Sequence, residues 1–262
     1  MKRQKAARGL SVIVITKNEE KNIDACLTAV NWADEIVVVD AGSTDRTVQK
    51  ARRFTRKVFV RPWEGYGAAK NFALKQATGE WILWIDADER VSAPLREEIA
   101  GALSAPAQGF DAFSVPRKAN FLGRWILHCG WYPGRVTRLF KKERGTFTES
   151  KVHEKLLVKG KVGELRSDLL HFTDPTLTGY LDKFNKYTTL ASDELVESGK
   201  TFGLGQITVR PFWMFVKMYF LRLGFLDGIQ GFILCVLSAC YVFTKYAKLW
   251  EQGPHLPMET TR

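Results

Sequence analysis

The sequence predicts an α/β fold with a mostly parallel, Rossmann-like sheet. Short apolar runs without polar–apolar alternation recur through residues 10–85, which is typical of strands buried on both faces. Segments with helical spacing of apolar residues separate these runs, as crossover helices do in a parallel sheet. The composition, 45% hydrophobic and 26% charged in 262 residues, is that of a chain with a large buried core.

The first part of the chain alternates predicted strands and helices. Apolar, β-branched runs predict strands at residues 10–15, 35–39, 58–60 and 81–85. Capping residues, early acids and helical spacing predict helices at residues 18–33, 43–54 and 65–79, the last ending at Gly79. This order predicts helices on both faces of the sheet.

The pattern changes after about residue 110. Shorter strands joined by glycine-containing turns predict a small mixed or antiparallel β extension up to about residue 172. The helical period returns at residues 178–198. We therefore divide the chain into residues 1–110, 111–175 and a helical region at 176–262.

The helical region ends in a tail rich in aromatic and apolar residues. Residues 228–244 carry no charge, but these 17 residues fall short of the about 20 that a spanning helix needs. Lys217 and Arg222 lie within the aromatic-rich segment 211–225, which favours a helix in the membrane interface. A hairpin on a membrane surface is the main hypothesis; a true span and packing within an oligomer or core are the alternatives.

The charge balance indicates an anionic partner, because the formal net charge is +11. The basic residues are dispersed, and no helix-turn-helix, zinc-finger or RNA-binding signature is present, so we expect no nucleic-acid partner. The four cysteines form no CxxC pair, as expected of reduced thiols. The N-terminal apolar run is too short for a signal peptide, which predicts a location on the cytoplasmic side.

Acidic residues follow two of the predicted strands directly. Asp40 ends one strand, Asp86 and Asp88 follow another, and Thr16 ends the first. Ligands of open α/β sheets bind beyond the carboxyl ends of the strands, so these groups are expected to share one crevice. Carboxylates there suit Mg²⁺ or Mn²⁺ with a nucleotide diphosphate, although a DxD motif alone is a weak signal.

Basic residues provide candidates for binding the phosphates. Lys70 is expected one turn into a helix that begins with two glycines. Arg135 and Arg138 are candidate diphosphate clamps, since the planar guanidinium suits phosphate oxygens. An exposed lysine and strand-surface arginines are the alternatives. His128 and His171 could line the site, and His171 could also be a metal ligand.

Four motifs, "SVIVITKNEE", "IVVVDAGSTDRT", "GYGAAKNFAL" and "WILWIDADE", together resemble glycosyltransferase family 2, whose members are inverting and have the GT-A fold. "GWYPGRVTRLFKK" and "VHEKL" resemble its branch of lipopolysaccharide inner-core β-glucosyltransferases. The resemblance implies a nucleotide-sugar-binding half at residues 1–110 and an acceptor-binding, catalytic-base half at residues 111–175.

The resemblance also implies roles for single residues. Thr16 and Asp40 would hold the uracil and ribose of a UDP-sugar, and Asp86 would contact the ribose or metal region. Asp88 would coordinate the metal, Mg²⁺ or Mn²⁺, that bridges the diphosphate. Lys70 stands where the family often has arginine, so the charge is kept but the bidentate fork is lost.

The attacking hydroxyl needs a general base within hydrogen-bond reach. Many family members use an acid of a later Glu-Asp pair, which this region lacks. Glu154 is our candidate base, with Glu149 and Asp168 as rivals and a surface hairpin acid as the alternative interpretation.

The predicted function is metal-dependent transfer of a hexose, with glucose as the best guess, from a UDP-sugar. The expected acceptor is a lipid-linked glycan such as the lipopolysaccharide core, and the protein is expected to lie on the anionic inner face of the plasma (inner) membrane. A polyprenyl-phosphate glycosyltransferase is the alternative. A catalytically inactive scaffold is disfavoured by the presence of Asp88.

Overall fold

The computed structural model describes residues 9–104, 109–148 and 155–253. The chain forms two compact units. The first contains the described residues up to Lys118 and those from Gly134 to Phe172. The second contains Ala119–Pro133 and the described residues from Thr173 onward. The functional division at residues 110 and 175 stays a prediction.

The first unit is built on four parallel strands, as predicted from their uniformly apolar sequences. In sheet order they are β3, β2, β1 and β4. The strands are β1 (Leu10–Thr16), β2 (Glu35–Asp40), β3 (Val58–Val60) and β4 (Trp81–Asp86). Every residue of β1 is buried. The predicted mostly parallel sheet is therefore confirmed, and its central strand is β1.

Helices connect these strands, but the first two are shorter than predicted. They are α1 (Ile23–Val30), α2 (Thr47–Ala51), α3 (Tyr66–Gln76) and α4 (Ala93–Ser104). The amides of Asn18 and Glu19 donate to the side chains of Ser43 and Thr47 at 2.7 and 2.8 Å. The first bond joins the loop before α1 to the loop before α2, and the second joins it to the first residue of α2.

Helix α4 was not predicted, although its signal is visible in retrospect. The Ser92 hydroxyl accepts the Leu95 amide at 3.3 Å, as helix-capping side chains do. Leu95 and Ile99, four residues apart, are the buried residues of the helix.

Antiparallel strands extend the sheet, which confirms the predicted mixed β extension. Sheet order continues from β4 through β8, β6 and β12 to β5, and β11 pairs in parallel with β6. The strands are β5 (Glu89–Val91), β6 (Ala112–Phe121), β8 (Gly134–Lys141), β11 (Val162–Glu164) and β12 (Leu169–Asp174). A separate hairpin pairs β9 (Gly145–Phe147) with β10 (Leu156–Val158). Strands β6 and β12 begin in the first unit and end in the second.

The second unit is largely helical, as predicted. Its elements are β7 (Arg124–Ile126), α5 (Leu177–Glu197), α6 (Leu204–Ile207), α7 (Val209–Val216), a π-helical turn (Lys217–Leu221), a 3₁₀ turn (Gly224–Asp227) and α8 (Gly228–Glu251). Its buried core contains Phe121, Ile126, Cys129, Met218, Leu234 and Cys235. Among the described residues, Gly224–Glu251 is long and apolar enough to cross a membrane, with mean hydropathy 1.7 and 28% of its apolar window buried.

One carboxylate at the start of β2 joins three neighbouring segments of the first unit. Glu35 accepts the Ser11 hydroxyl at 2.5 Å and the Thr78 amide at 2.7 Å, and it forms an ion pair with Lys57. Burial acts to raise the pKa of Glu35, but the bonds from Lys57, Ser11 and Thr78 outweigh it and lower the pKa to about 2. Glu35 therefore favours the folded state when it is ionised.

Replacement Glu35→Gln is expected to lower the free energy of unfolding by about 2 kcal/mol at pH 7, the scale of hydrogen bonds to a charged group. Because the folded pKa lies below the ordinary value of 4.5, the ionised carboxylate contributes fully above that pH. The difference from wild type should shrink as pH falls from 4.5 towards about 2.

Urea denaturation across this pH range measures the effect, with Glu97→Gln as the matched control. Glu97 is exposed on α4 and should show a small difference at every pH. A constant deficit in the Glu35 variant from pH 7 to pH 3 would contradict the assigned ionisation.

Candidate active site

The carboxyl ends of β1, β2 and β4 bring three predicted site residues together. Thr16 is the register partner of Asp40, and Ile15 is the partner of Asp86. Since β1 lies between the other two strands, the three side chains occur at one edge of the sheet. The sequence predicted this convergence from the position of each residue at a strand end.

Asp40 holds the loop that follows β2. It is fully buried, and its carboxylate accepts the amides of Gly42 at 3.0 Å and Ser43 at 2.7 Å. The Ser43 hydroxyl donates to it at 2.5 Å. The Asn18 side chain accepts the Thr44 amide of the same loop at 2.8 Å, which ties the β1 and β2 loops together. Asp40 therefore fixes the conformation of the loop at the end of β2.

Thr16 presents a buried hydroxyl to this edge. The residue is 3% exposed, and its Oγ1 has no hydrogen-bond partner among the described residues. Buried polar atoms in folded proteins are nearly always paired. An unpaired hydroxyl at the end of a central parallel strand fits a polar atom of a bound ligand.

Arg138 joins two acidic side chains at the end of β4. Its Nη2 lies 2.8 Å from Asp86 Oδ2 and 2.5 Å from Glu89 Oε1. The side chains of Arg138 and Glu89 are 2% and 0% exposed, whereas that of Asp86 is 38% exposed. Arg138 thus lies beneath a carboxylate that still reaches solvent.

The pKa values of the two acids move in opposite directions. Burial is the largest influence on both and raises the pKa of Glu89. For Asp86, the positive charges of Arg138 and Lys70 outweigh burial and lower the pKa. Asp86 is therefore held as a carboxylate.

The Trp84 ring on β4 makes cation–π contacts with two side chains. The Arg138 guanidinium lies 3.5 Å from a Trp84 ring centroid, and Lys70 Nζ lies 4.0 Å from one. Lys70 is only 3% exposed although it lies in the first half of α3. The Lys70 charge is held close enough to Asp86 to help lower the pKa of that carboxyl.

Asp88 pairs with a histidine from β12. Its Oδ2 lies 3.3 Å from His171 Nε2, and the two side chains are 20% and 15% exposed. The register between β5 and β12 places His171 opposite Glu89, which brings it to the DAD turn.

The donor set at Asp88 fits a divalent cation that shares its ligands with a substrate. No group of three or more His, Cys, Asp or Glu side chains forms a metal cage within residues 9–104, 109–148 and 155–253. Mg²⁺ is commonly held by one or two carboxylates together with water and substrate phosphates, and Mn²⁺ accepts carboxylate oxygen. Asp88, with His171 beside it, meets that requirement.

Arg135 contacts the chain away from these acids. Its guanidinium donates to the Leu165 carbonyl at 3.0 and 2.8 Å and pairs with Glu164 at 2.9 Å. A diphosphate contact by Arg135 would require these bonds to be exchanged, so that role stays a prediction.

The candidate general base lies outside the described residues. Glu154 and its rival Glu149 both fall in residues 149–154, so their roles stay predictions. The third candidate, Asp168, lies 3.9 Å from Lys118. His128 belongs to the second unit, where its Nδ1 lies 3.0 Å from Asp227 Oδ1.

Two residues of this region were not predicted as part of the site: Trp84 and Glu89. Glu89 had a visible signal, since it is the third acid of "DADE". Trp84 read as an ordinary core residue of a buried strand. Its contact with two cations depends on β8 and α3, which no local pattern connects to it.

Comparisons with known proteins agree on one family. The model of "Glycosyl transferase family 2" matches residues 11–155. The lipopolysaccharide core biosynthesis glycosyltransferase LpsC of Rhizobium meliloti is 33% identical over 250 residues, covering 93% of this chain and 92% of LpsC. The uncharacterized glycosyltransferase RT0209 of Rickettsia typhi is 31% identical over 253 residues, covering 92% and 87% of the two chains.

Among solved structures, glucosyl-3-phosphoglycerate synthase from Mycobacterium tuberculosis aligns at a TM-score of 0.49 and 18% identity. The alignment covers 74% of this chain and 81% of the synthase.

Proposed function

Because this chain belongs to glycosyltransferase family 2, an enzyme family, we propose that it transfers a hexose from a UDP-sugar to a lipid-anchored glycan of the lipopolysaccharide-core type. The main support for the donor site is the end of β4, where Asp86 lies beside the cations Arg138 and Lys70 and Asp88 lies beside His171. The acceptor class is supported by the similarity to LpsC along nearly the whole chain. The mostly parallel sheet and its mixed extension agree with the fold that the resemblance implies.

Each donor-site residue has a proposed part in binding. The unpaired Thr16 hydroxyl and the Asp40 loop would contact the nucleoside, while Asp86 would face the ribose. Lys70 would contribute positive charge towards the diphosphate. Arg138 is buried beneath Asp86, so in this proposal it acts by positioning that carboxylate.

A divalent cation, Mg²⁺ or Mn²⁺, would be held by Asp88 with His171 beside it. When bound, such an ion stabilises the negative charge that develops on a diphosphate leaving group. The protein's own part is to keep Asp86 ionised and to orient Asp88 through its contact with His171. The charges of Arg138 and Lys70, which lower the pKa of Asp86, serve that end.

Glu154 is the proposed general base. It would accept the proton of the acceptor hydroxyl as that hydroxyl attacks the anomeric carbon from the face opposite the diphosphate. The configuration of the sugar would therefore invert. The assignment of Glu154 is supported by the resemblance of "VHEKL" to the family. Glu149 and Asp168 are the rival candidates.

We place the enzyme on the cytoplasmic face of the inner membrane. Large apolar side chains are exposed on α7 and α8, including Phe212 at 70%, Trp213 at 54% and Ile229 at 65%. Exposed aromatic residues beside cations are typical of segments that lie in a membrane interface. A net charge of +11 would favour an anionic surface.

A donor and acceptor screen tests this function. The purified full chain should be stabilised by UDP with Mg²⁺ or Mn²⁺ and should move sugar from a UDP-hexose to core oligosaccharide, giving an inverted linkage. Stabilisation by GDP but not UDP would contradict the donor assignment. Product that partitions with polyprenyl phosphate rather than core oligosaccharide would contradict the acceptor assignment and favour the alternative transferase.

A further inference from the structure

The second unit contains an open cavity of about 390 Å³ that sugar transfer does not explain. It is lined by residues of the β7 loop, α5, α7, the π-helical turn and α8, all within this unit. Most of the lining is apolar or aromatic, as shown by Trp131, Met214, Met218 and Val242. An apolar lining of this kind is suited to binding a hydrocarbon chain.

Two cations are the charged members of the lining. Lys217 and Arg222 are both exposed, and neither side chain forms an ion pair or hydrogen bond within the described part of the chain. Burial raises the pKa of the Cys129 thiol, and burial with nearby Asp174 raises that of Tyr180 to about 12. Both groups are neutral at pH 7, so the lining carries two uncompensated positive charges.

The backbone explains why these cations share one wall. The Arg222 amide donates to the Lys217 carbonyl at 2.8 Å, which closes a π-helical turn. This i→i+5 bond stacks residues five apart on one side, whereas an α-helix would turn them away from each other. The alkyl stem of Arg222 also lies close to Gly130, which has φ of +79°.

The surroundings of the cavity point to a membrane as the source of its ligand. Phe220, Leu221 and Phe225 are 54%, 62% and 46% exposed next to the π-helical turn. An apolar cavity with paired cations, set in an exposed apolar surface, matches an amphiphile with an anionic head and a hydrocarbon tail. A soluble anion would use the cations but leave the apolar walls uncovered.

We propose that this cavity binds one membrane lipid with a phosphate headgroup, held by Lys217 and Arg222, with its proximal hydrocarbon against Trp131 and Met214. The proposal goes beyond sugar transfer and requires no step of it. If no lipid binds, the proposed sugar transfer is therefore unaffected. If no sugar is transferred, the lipid-binding proposal still stands.

Binding of short-chain phosphatidic acid to the purified full chain, measured by native mass spectrometry and calorimetry, tests the proposal. We expect saturable binding of one lipid per chain, with weaker binding of the matched phosphatidylcholine and none of inorganic phosphate at the same concentration. The double variant Lys217→Gln/Arg222→Gln should weaken binding roughly tenfold or more, because each cation near an anionic lipid contributes to affinity.

Two further variants separate the cavity from general surface charge. Lys186→Gln/Lys200→Gln removes the same charge from exposed positions of this unit outside the lining and should leave lipid affinity within about twofold, as expected for charges that do not contact the lipid. Ser238→Phe, which adds bulk to the lining without changing charge, should abolish the single bound lipid. Equal losses in the two double variants, or full binding by a folded Ser238→Phe protein, would overturn the proposal.

Discussion

The Arg138→Met variant is expected to be less stable than the wild type by about 3–5 kcal/mol, the scale on which removing one partner of a buried ion pair acts. Arg138 is almost fully buried and lies 2.5 Å from Glu89, which is fully buried. Methionine would fill part of the volume but leave the Glu89 charge without its main partner. The partly exposed Asp86 would also lose its 2.8 Å contact.

The deficit of this variant should depend on pH. The pKa of Glu89 is already raised by burial, and loss of the Arg138 charge would raise it further. An acid whose folded pKa lies above its unfolded value destabilises the fold as it ionises, so the deficit should be largest near pH 7. It should shrink as pH falls towards the ordinary value of 4.5.

Chemical denaturation at several pH values measures both effects. Adding Glu89→Gln to Arg138→Met should recover part of the lost stability, because the unpaired charge is removed as well. Arg144→Met is the control, since its 55% exposed side chain makes only a 3.8 Å pair with Asp111. If Arg138→Met were about as stable as the control, the prediction that the buried Arg138–Glu89 ion pair contributes strongly to stability would be wrong.

The second large effect is expected from Asp88→Asn, which should reduce sugar transfer roughly 10²–10⁴-fold. Loss of charge stabilisation worth several kcal/mol in the transition state corresponds to that range. The fold should remain, because the Asp88 carboxylate makes one 3.3 Å contact with His171 and its backbone carbonyl still accepts the Phe172 amide.

Two measurements define this effect. Transfer is assayed with increasing Mg²⁺ or Mn²⁺, and stabilisation by UDP is followed with and without the metal. Asp182→Asn, an exposed acid on α5, is the matched control and should behave as wild type. Undiminished transfer by Asp88→Asn, with an unchanged metal requirement, would remove Asp88 from the site.

Glu154→Gln, which alters the proposed general base, should give a different pattern. Removal of a general base typically costs 10²–10⁴-fold in rate, while binding of UDP and metal would persist. Near-normal transfer with intact donor binding would eliminate Glu154 and direct the search to Glu149 and Asp168.

Much of the architecture follows from local pattern. Uniformly apolar runs predicted β1, β2, β3 and β4, and the acids at the strand ends predicted where Asp40 and Asp86 would meet. Helix bounds were less accurate, and the loops before α1 and α2 are tied to each other by the bond from the Asn18 amide to the Ser43 hydroxyl. Such bonds join residues about 25 positions apart and have no local signature.

The sequence by itself predicted a parallel sheet, acids at one edge and an aromatic, apolar tail, and four of its motifs resemble glycosyltransferase family 2. These features depend on residue type and spacing within a strand or helix, where periodicity records burial directly. The tertiary structure decided what each charge does. Arg138 pairs beneath Asp86, Arg135 pairs with Glu164, and Lys217 with Arg222 faces a cavity. Partners of a long side chain come from distant segments, and only packing selects them.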